Sequence, residues 1–285
     1  MRFTAEILSG LCNVLKAFVT ALSMTEYGDT NLKPIKNHWF DADYTEVLDD
    51  SLICHGPKEM GESFVTARWL ILKEEEDGQP DLINDAKKLG DHPNIANKKL
   101  SPLFSTHSID WFYDRSLISD DVYNRIQTGI KKIKWKDEVI YEVNRVTSEF
   151  EEGPLLSIQI RTWKHKWDPP GDWKNRPKDG VVRDYNFETY KNAINKFLHS
   201  EIPPKTIFLT SDNEGLLPQY LEYLKDYDVK VVTYTQPKDV TQMQFSVATM
   251  LIASRCDMLV CSRLSTFAEC IWWFGGCKAN TIPVF

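Results

Sequence analysis

Residues 155–161 read LLSIQIR, a short and mostly apolar segment that ends in an arginine. A run of this length and composition is typical of a strand that is buried on both faces of a sheet. Four similar segments follow, at 206–210 (TIFLT), 229–233 (VKVVT), 258–261 (MLVC) and 281–285 (TIPVF). The sequence therefore predicts five strands after residue 153.

The segments between these strands have helical spacing. Apolar residues recur on one predicted helix face at Phe187, Tyr190, Ala193, Ile194 and Phe197. Further helices are predicted at 241–255 and 265–274. Strands that alternate with helices over short loops are typical of a parallel sheet with helices on its faces, so the predicted fold class is α/β. In such sheets ligands bind at the carboxyl ends of the strands.

The first half of the chain is less regular. It predicts one strand–turn–helix unit, with a strand at 3–8, a turn at 10–13 (GLCN) and an apolar helix at 14–24. Further strands are predicted at 52–54 and 69–72, and a long helix or helix pair at 120–150. We place a lobe boundary at residue 153, which divides the chain into lobes 1–152 and 153–285.

Composition excludes several classes of function. The chain has 285 residues, is 42% hydrophobic and carries a formal net charge of −7, which suits two lobes and argues against a nucleic-acid binder. No apolar run reaches the roughly 18 residues that span a bilayer, and the N-terminus lacks a clean apolar signal core. The six cysteines form no CxxC pair, which predicts reduced, mostly buried thiols and a cytoplasmic protein.

Three constellations could carry chemistry, of which the third is the strand-to-helix turn at 10–13, with a simple turn as the alternative. Arg161 lies at the carboxyl end of a predicted central strand, where its forked and permanently charged guanidinium matches phosphate oxygens. The second is 261–267 (CSRLSTF), a strand-to-helix turn where unpaired N–H groups and the helix dipole favour an anion, and where Ser265 and Thr266 add hydroxyl donors. The alternatives are a local ion pair for Arg161 and ordinary helix capping by Ser262 or Ser265.

The order of these motifs resembles the superfamily of α1,2-, α1,6- and protein O-fucosyltransferases. That family opens with a glycine turn before an apolar helix, here 10–13, and has a strand that ends His-x-Arg, here 159–161 (QIR). A strand ending in Thr-Asp-Asp is matched by 208–213 (FLTSDN). A final strand, which ends in Ser-Ser before a helix, is matched by 255–262 (RCDMLVCS) with 265–266 (ST) after it.

The resemblance implies a GT-B-like fold of two Rossmann-like lobes with parallel sheets. It implies inverting, metal-independent transfer of a sugar, with no cofactor, from a nucleotide-diphosphate donor such as GDP-fucose to a glycan or glycoprotein acceptor. Lobe 1–152 would be the acceptor side, and lobe 153–285 would bind the donor. By matching position, Arg161 would bind the β-phosphate, Ser265 and Thr266 the same diphosphate, and Asn13 would reach the donor from the first lobe. Gln159, Asp212 and Ser262 complete the predicted donor set.

The catalytic base is expected in the loop that follows Arg161. This loop holds four carboxylates, at Asp168, Asp172, Asp179 and Asp184. Asp168 is the candidate, because some members of the family carry a carboxylate close to that place. Inverting transfer needs a carboxylate near the acceptor hydroxyl or an SN1-like path with help from phosphate, and the alternative for Asp168 is a solvated loop carboxylate. Three tryptophans in the same loop, Trp163, Trp167 and Trp173, suit stacking on sugar rings.

Three departures from the family pattern leave alternatives open. Gln159 replaces the usual His, and Thr162 stands where many members have a second Arg. In several members of the family a carboxylate binds the guanine, because guanine N–H groups prefer such an acceptor. Residues 246–250 (SVATM) lack this carboxylate. A UDP-sugar transferase, such as a xylosyltransferase, is therefore one alternative, and a non-catalytic carbohydrate- or nucleotide-binding protein is another.

Metal-dependent transfer is disfavoured. Asp41 and Asp43 form a DxD pattern of the kind that holds a divalent ion on a diphosphate, but no apolar strand precedes it. The six histidines are dispersed and show no zinc spacing. The sequence therefore predicts that no metal takes part.

Overall fold

A computed structural model describes the chain over residues 3–5, 11–23, 30–32, 43–53, 63–65, 113–118, 120–162, 185–262 and 265–284. The chain divides into two compact units that interleave along the sequence. The first unit comprises residues 1–148, 235–254 and 266–278, and the second comprises residues 149–234, 255–265 and 279–285. Two helices near the C-terminus thus belong to the first unit. The division into lobes 1–152 and 153–285 stays a prediction.

The first unit contains a small parallel sheet. Strands β1 (Phe3–Ala5), β2 (Thr30–Leu32) and β3 (Ser63–Val65) pair in the order β2-β1-β3. Helix α1 (Leu11–Ser23) follows β1, so the predicted strand-to-helix unit is confirmed. The helix begins at Leu11, however, and the predicted turn residues Cys12 and Asn13 lie in its first turn.

The prediction of a strand at 52–54 is wrong for Leu52. This residue ends a short 3-10 helix, Asp50–Leu52, because the Asp49 side chain accepts a hydrogen bond from Ser51 N at 2.9 Å and closes a local turn. The third strand of the sheet is β3 instead. The strand predicted at 69–72 lies outside the described residues.

Four further helices complete the described part of the first unit. The long segment at 120–150 is a helix pair, α2 (Asp120–Lys131) and α3 (Asp137–Thr147), as predicted. Helix α6 (Gln242–Ala253) packs on α3, and α7 (Thr266–Phe274) packs on α1, α2 and α6. Thr241 and Gln244 form a reciprocal capping box at the start of α6.

A buried ion pair joins α1 to α7. Lys16 Nζ lies 2.6 Å from Glu269 Oε2, and both side chains are 1% exposed. Around it, α1 buries apolar side chains at helical spacing, at Val14, Leu15, Phe18, Val19 and Leu22. Two opposite charges in such surroundings tolerate burial because each neutralises the other.

The second unit is built on a five-stranded parallel sheet. Its strands are β4 (Leu155–Ile160), β5 (Thr206–Ser211), β6 (Lys230–Thr233), β7 (Met258–Ser262) and β8 (Asn280–Val284). They lie in the order β6-β5-β4-β7-β8, with β4 at the centre. All six residues of β4 are buried, as its apolar sequence predicts. The predicted α/β class with parallel sheets is confirmed.

Helices α4 (Phe187–Leu198) and α5 (Leu217–Leu224) cover one face of this sheet. Strand residues Leu156, Ile158 and Ile160 point into the same core as Tyr190 of α4 and Tyr220 of α5. All five described cysteines of the chain are buried, and no disulfide joins them. Over the described ranges, no helix is both long and apolar enough to cross a membrane.

Replacing Lys16 by Met is expected to destabilise the protein by about 3–5 kcal/mol, because the Glu269 carboxylate then stays buried without its ammonium partner. The measurement is urea unfolding. Arg125→Met is the matched control, since its pair with Asp121 is solvent-exposed and contributes no more than about 1 kcal/mol. If both variants lose the same free energy of unfolding, the buried pair contributes no more to stability than the exposed pair, and the prediction is wrong.

Candidate functional site

Three predicted site residues meet at the carboxyl edge of the second unit's sheet. Arg161 follows the last residue of β4, Asp212 follows the last residue of β5, and Ser262 is the last residue of β7. The register pairs Ile160 with Ser211 and Gln159 with Cys261. Because β4 lies between β5 and β7, the next residues along these three strands are spatial neighbours.

This edge is also where the direction of the chain reverses. From β4 the sheet grows outward through β5 and β6, and the chain then returns to the other side of β4 to add β7 and β8. Connections that leave a central strand in opposite directions open a crevice at its carboxyl end, and ligands of open α/β sheets bind in that crevice. Arg161 therefore stands at the topological switch point.

Side chains from both neighbouring strands hold the main chain at this point. Ser262 Oγ accepts a hydrogen bond from Arg161 N at 2.9 Å, and Asp212 Oδ1 accepts one from Thr162 N at 2.8 Å. The same Asp212 oxygen accepts from Thr162 Oγ1 at 3.0 Å. Asp212 N in turn donates to Ile160 O at 3.2 Å. The main chain at Arg161 and Thr162 is thus held from two sides.

Gln159 lies on the same face of β4 as Arg161, because strand side chains alternate. Its side chain is 5% exposed, and its Oε1 atom has no hydrogen-bond partner among the described residues. An unsatisfied buried acceptor destabilises the fold unless an N–H or O–H group reaches it. Gln159 can therefore accept a hydrogen bond from a polar ligand that enters the crevice.

The remaining predicted donor residues are placed as follows. Ser265 is 2% exposed and belongs to the second unit, whereas Thr266 opens helix α7 in the first unit. Asn13 lies in the first turn of α1, and its side chain lies outside what the structure describes, as do residues 263–264. Asp168 falls within 163–184, which also lies outside the described residues. The roles of these four residues stay predictions.

Tyr190 belongs to this edge, although the sequence points only to its place in the core. Its hydroxyl contacts Ser262 Oγ and lies 3.4 Å from Gln159 O. Burial is the main cause that raises the pKa of this hydroxyl above its usual value. Helical spacing correctly predicts that Tyr190 is buried, but the partner of its hydroxyl depends on the position of β7, which sequence spacing does not reveal.

The DxD pattern has a structural use at its second aspartate. Asp43 Oδ1 accepts from Thr45 N at 2.9 Å and from the Thr45 hydroxyl at 2.6 Å, which caps the 3-10 helix Tyr44–Glu46. Asp41 lies outside the described residues. Where side chains are described, no group of three His, Cys, Asp or Glu residues is arranged to hold a metal ion. Metal independence stays a prediction.

Replacing Ser262 by Ala is expected to lower the free energy of unfolding by about 1–3 kcal/mol, because Arg161 N loses its acceptor in a partly buried setting and the Tyr190 hydroxyl loses its partner. Ser157→Ala is the matched control, since Ser157 is fully buried but its Oγ has no hydrogen-bond partner among the described residues. Urea unfolding of both variants checks this. A Ser262→Ala variant as stable as Ser157→Ala would show that the bond to Arg161 contributes nothing.

No protein-family model matches this chain, and no curated protein is significantly similar to it. Solved structures, in contrast, match along nearly the whole chain. POFUT1 in complex with GDP-fucose has a TM-score of 0.52 at 12% identity, with 100% of this chain and 98% of that chain covered.

Two other fucosyltransferases give similar matches. The NodZ α-1,6-fucosyltransferase soaked with GDP-fucose has a TM-score of 0.52 at 11% identity and covers 96% of this chain and 92% of that chain. A point mutant of FUT1 from Arabidopsis thaliana in complex with GDP has a TM-score of 0.51 at 11% identity, and the match covers 98% of this chain and 69% of that chain. At such low identity the likeness concerns the fold, and the chain has a fucosyltransferase-like fold.

Proposed function

We propose that this protein is a glycosyltransferase of the GT-B kind that moves a sugar from a nucleotide-diphosphate donor to a glycan or glycoprotein acceptor. The observation that carries the proposal is the position of Arg161 at the switch point of the sheet, with its main chain held by Ser262 and its neighbour Thr162 held by Asp212. The fucosyltransferase-like fold supports it, since POFUT1 and NodZ bind GDP-fucose.

Arg161 suits the diphosphate of such a donor. When the glycosidic bond to the diphosphate breaks, negative charge develops on the β-phosphate, and a fixed cation stabilises that charge. A guanidinium remains protonated at every working pH and can form two parallel hydrogen bonds to phosphate oxygens. Ser265 and Thr266 are proposed to add donors to the same diphosphate.

The proposed transfer is inverting and needs no metal. The acceptor hydroxyl attacks the anomeric carbon, the bond from that carbon to the diphosphate oxygen breaks, and the hydroxyl proton passes to a carboxylate. Asp168 is the proposed carboxylate. Arg161 would take the place that a divalent cation has in metal-dependent transferases, as the positive charge beside the leaving group.

GDP-fucose is the first candidate donor, because POFUT1 is in complex with GDP-fucose, NodZ was soaked with GDP-fucose and the FUT1 mutant is in complex with GDP. One observation favours a UDP-sugar instead. On α6, residues 246–250 carry no carboxylate, and Val247, Ala248 and Met250 are fully buried. The Thr249 hydroxyl donates to Phe245 O at 2.7 Å within its own helix. This stretch therefore offers no anionic acceptor for guanine N–H groups.

A thermal-shift titration of the wild-type protein with GDP, UDP, GDP-fucose and UDP-xylose tests the proposal. We expect one base family to raise the melting temperature with increasing ligand concentration, since a ligand that binds only the native state stabilises it. The shift is expected to be equal in EDTA and in Mg²⁺. No shift with any of the four would contradict donor binding. Binding without turnover of the nucleotide sugar would favour the non-catalytic alternative.

Replacing Arg161 by Ala is expected to weaken nucleotide binding at least about 10-fold, because a charge-assisted pair of hydrogen bonds to phosphate is lost. Lys230→Ala is the matched control, since Lys230 is an exposed cation at the opposite, amino edge of the same sheet. Calorimetric titration of both variants gives the comparison. Wild-type affinity in Arg161→Ala would remove Arg161 from the site.

A further inference from the structure

The Tyr190 side chain runs from the core of the second unit to the carboxyl edge of its sheet. The residue is 2% exposed, and helix α4, which carries it, packs on β7 and β8. Its ring lies against two other tyrosines, with centroids 5.9 Å from Tyr185 and 6.3 Å from Tyr220. Because the ring is fixed by packing, the position of the hydroxyl beside Ser262 is fixed as well.

The hydrogen bonds around Ser262 form a closed set. In one arrangement, Tyr190 donates to Ser262 Oγ, and Ser262 donates to Arg161 O at 3.4 Å. In the other, Ser262 donates to Tyr190, and Tyr190 donates to Gln159 O at 3.4 Å. In both arrangements each of the two hydroxyl hydrogens has an acceptor, and Ser262 Oγ can still accept a hydrogen bond from Arg161 N at 2.9 Å.

Without the Tyr190 hydroxyl, Ser262 Oγ keeps only its contacts with the Arg161 main chain among those described above, so its rotamer is less firmly held. Its Oγ could then turn away from Arg161 N, and the main chain at 161 would lose one of the two side chains that hold it. A bidentate contact between guanidinium and phosphate is sensitive to small displacements, because both hydrogen bonds must be aligned at once.

We propose that Tyr190 is a positioning residue, which holds Arg161 in its donor-binding geometry through Ser262. The inference rests on the proposed function, since it assigns Tyr190 a part in the binding of a nucleoside diphosphate. The role is one of position and not of acid–base chemistry. Burial raises the pKa of the hydroxyl, which therefore keeps its proton across the neutral pH range.

Tyr190→Phe, compared with Tyr220→Phe, tests the inference. Tyr220 is fully buried in the same aromatic cluster, and its hydroxyl pairs with that of Tyr185 at 3.1 Å rather than with Ser262. Each variant removes one buried hydroxyl and keeps the ring, so both should lose similar thermal stability. Only Tyr190→Phe is expected to bind GDP or UDP, whichever the wild type prefers, about 2- to 10-fold more weakly.

Two further readouts separate a positioning role from a general loosening of the fold. Hydrogen exchange at the Arg161 amide should accelerate in Tyr190→Phe and stay unchanged in Tyr220→Phe, because only the first loses support for the acceptor of that amide. In steady-state kinetics, the KM for the donor should rise more than kcat falls. Ser262→Ala cuts the same link at its other end and should reproduce the loss of affinity.

The outcomes distinguish this inference from the proposed function. If the wild type binds neither GDP nor UDP, the proposed function fails, and the inference about donor binding fails with it. If the wild type binds a nucleotide and Tyr190→Phe binds it equally well, the inference is wrong and the proposed function stands. Equal weakening in Tyr190→Phe and Tyr220→Phe would also overturn the inference, because the effect would then come from the cluster as a whole.

Discussion

The main-chain amides of Arg161 and Thr162 donate to side chains that come from opposite sides of β4, Ser262 from β7 and Asp212 from the end of β5. This pair of contacts is possible only while β4 stays between those two strands in the observed register. The site therefore depends on the whole sheet, and the sheet depends on the apolar core beneath it. A change in strand order or register would separate Arg161 from both of its supports.

The core supports the edge as well as the sheet. Leu156, Ile158 and Ile160 face α4 and α5, and Tyr190 lies in that same core while its hydroxyl contacts Ser262. One tyrosine thus contributes apolar burial at its ring and a hydrogen bond at its tip, a combination that suits the boundary between core and site. The polar residues of the site directly follow or end strands whose other side chains are packed in the core. Their precise placement follows from that packing.

Much of the second unit could be predicted from the sequence, because its strands are continuous apolar runs and its helices have clear spacing. Arg161, Asp212 and Ser262 could also be assigned to one edge, since each follows or ends a predicted parallel strand. What each polar group bonds to could not be predicted. Whether the Ser262 hydroxyl faces a ligand or a neighbouring amide depends on register and rotamer, which periodicity does not encode.

The first unit was harder to predict for a different reason. Its described strands have three residues each, which is short for a period-2 signal, and the sequence predicts the strand at 3–5 but neither Thr30–Leu32 nor Ser63–Val65. Lys16 reads as a polar residue in a mixed segment, and its burial is matched by an ion pair with Glu269, 253 positions along the chain. Helices α6 and α7 lie between strands of the second unit in sequence but belong to the first unit. Contacts between distant segments decide all three features.

Arg161, held at the switch point, is proposed to bind the diphosphate of a nucleotide donor. A crystal structure of the protein with bound GDP or UDP tests it most directly. We expect guanidinium nitrogens about 2.7–3.2 Å from diphosphate oxygens, with Arg161 N still bonded to Ser262 Oγ. A nucleotide bound elsewhere, or bound in the crevice with the guanidinium turned away from both phosphates, would contradict it.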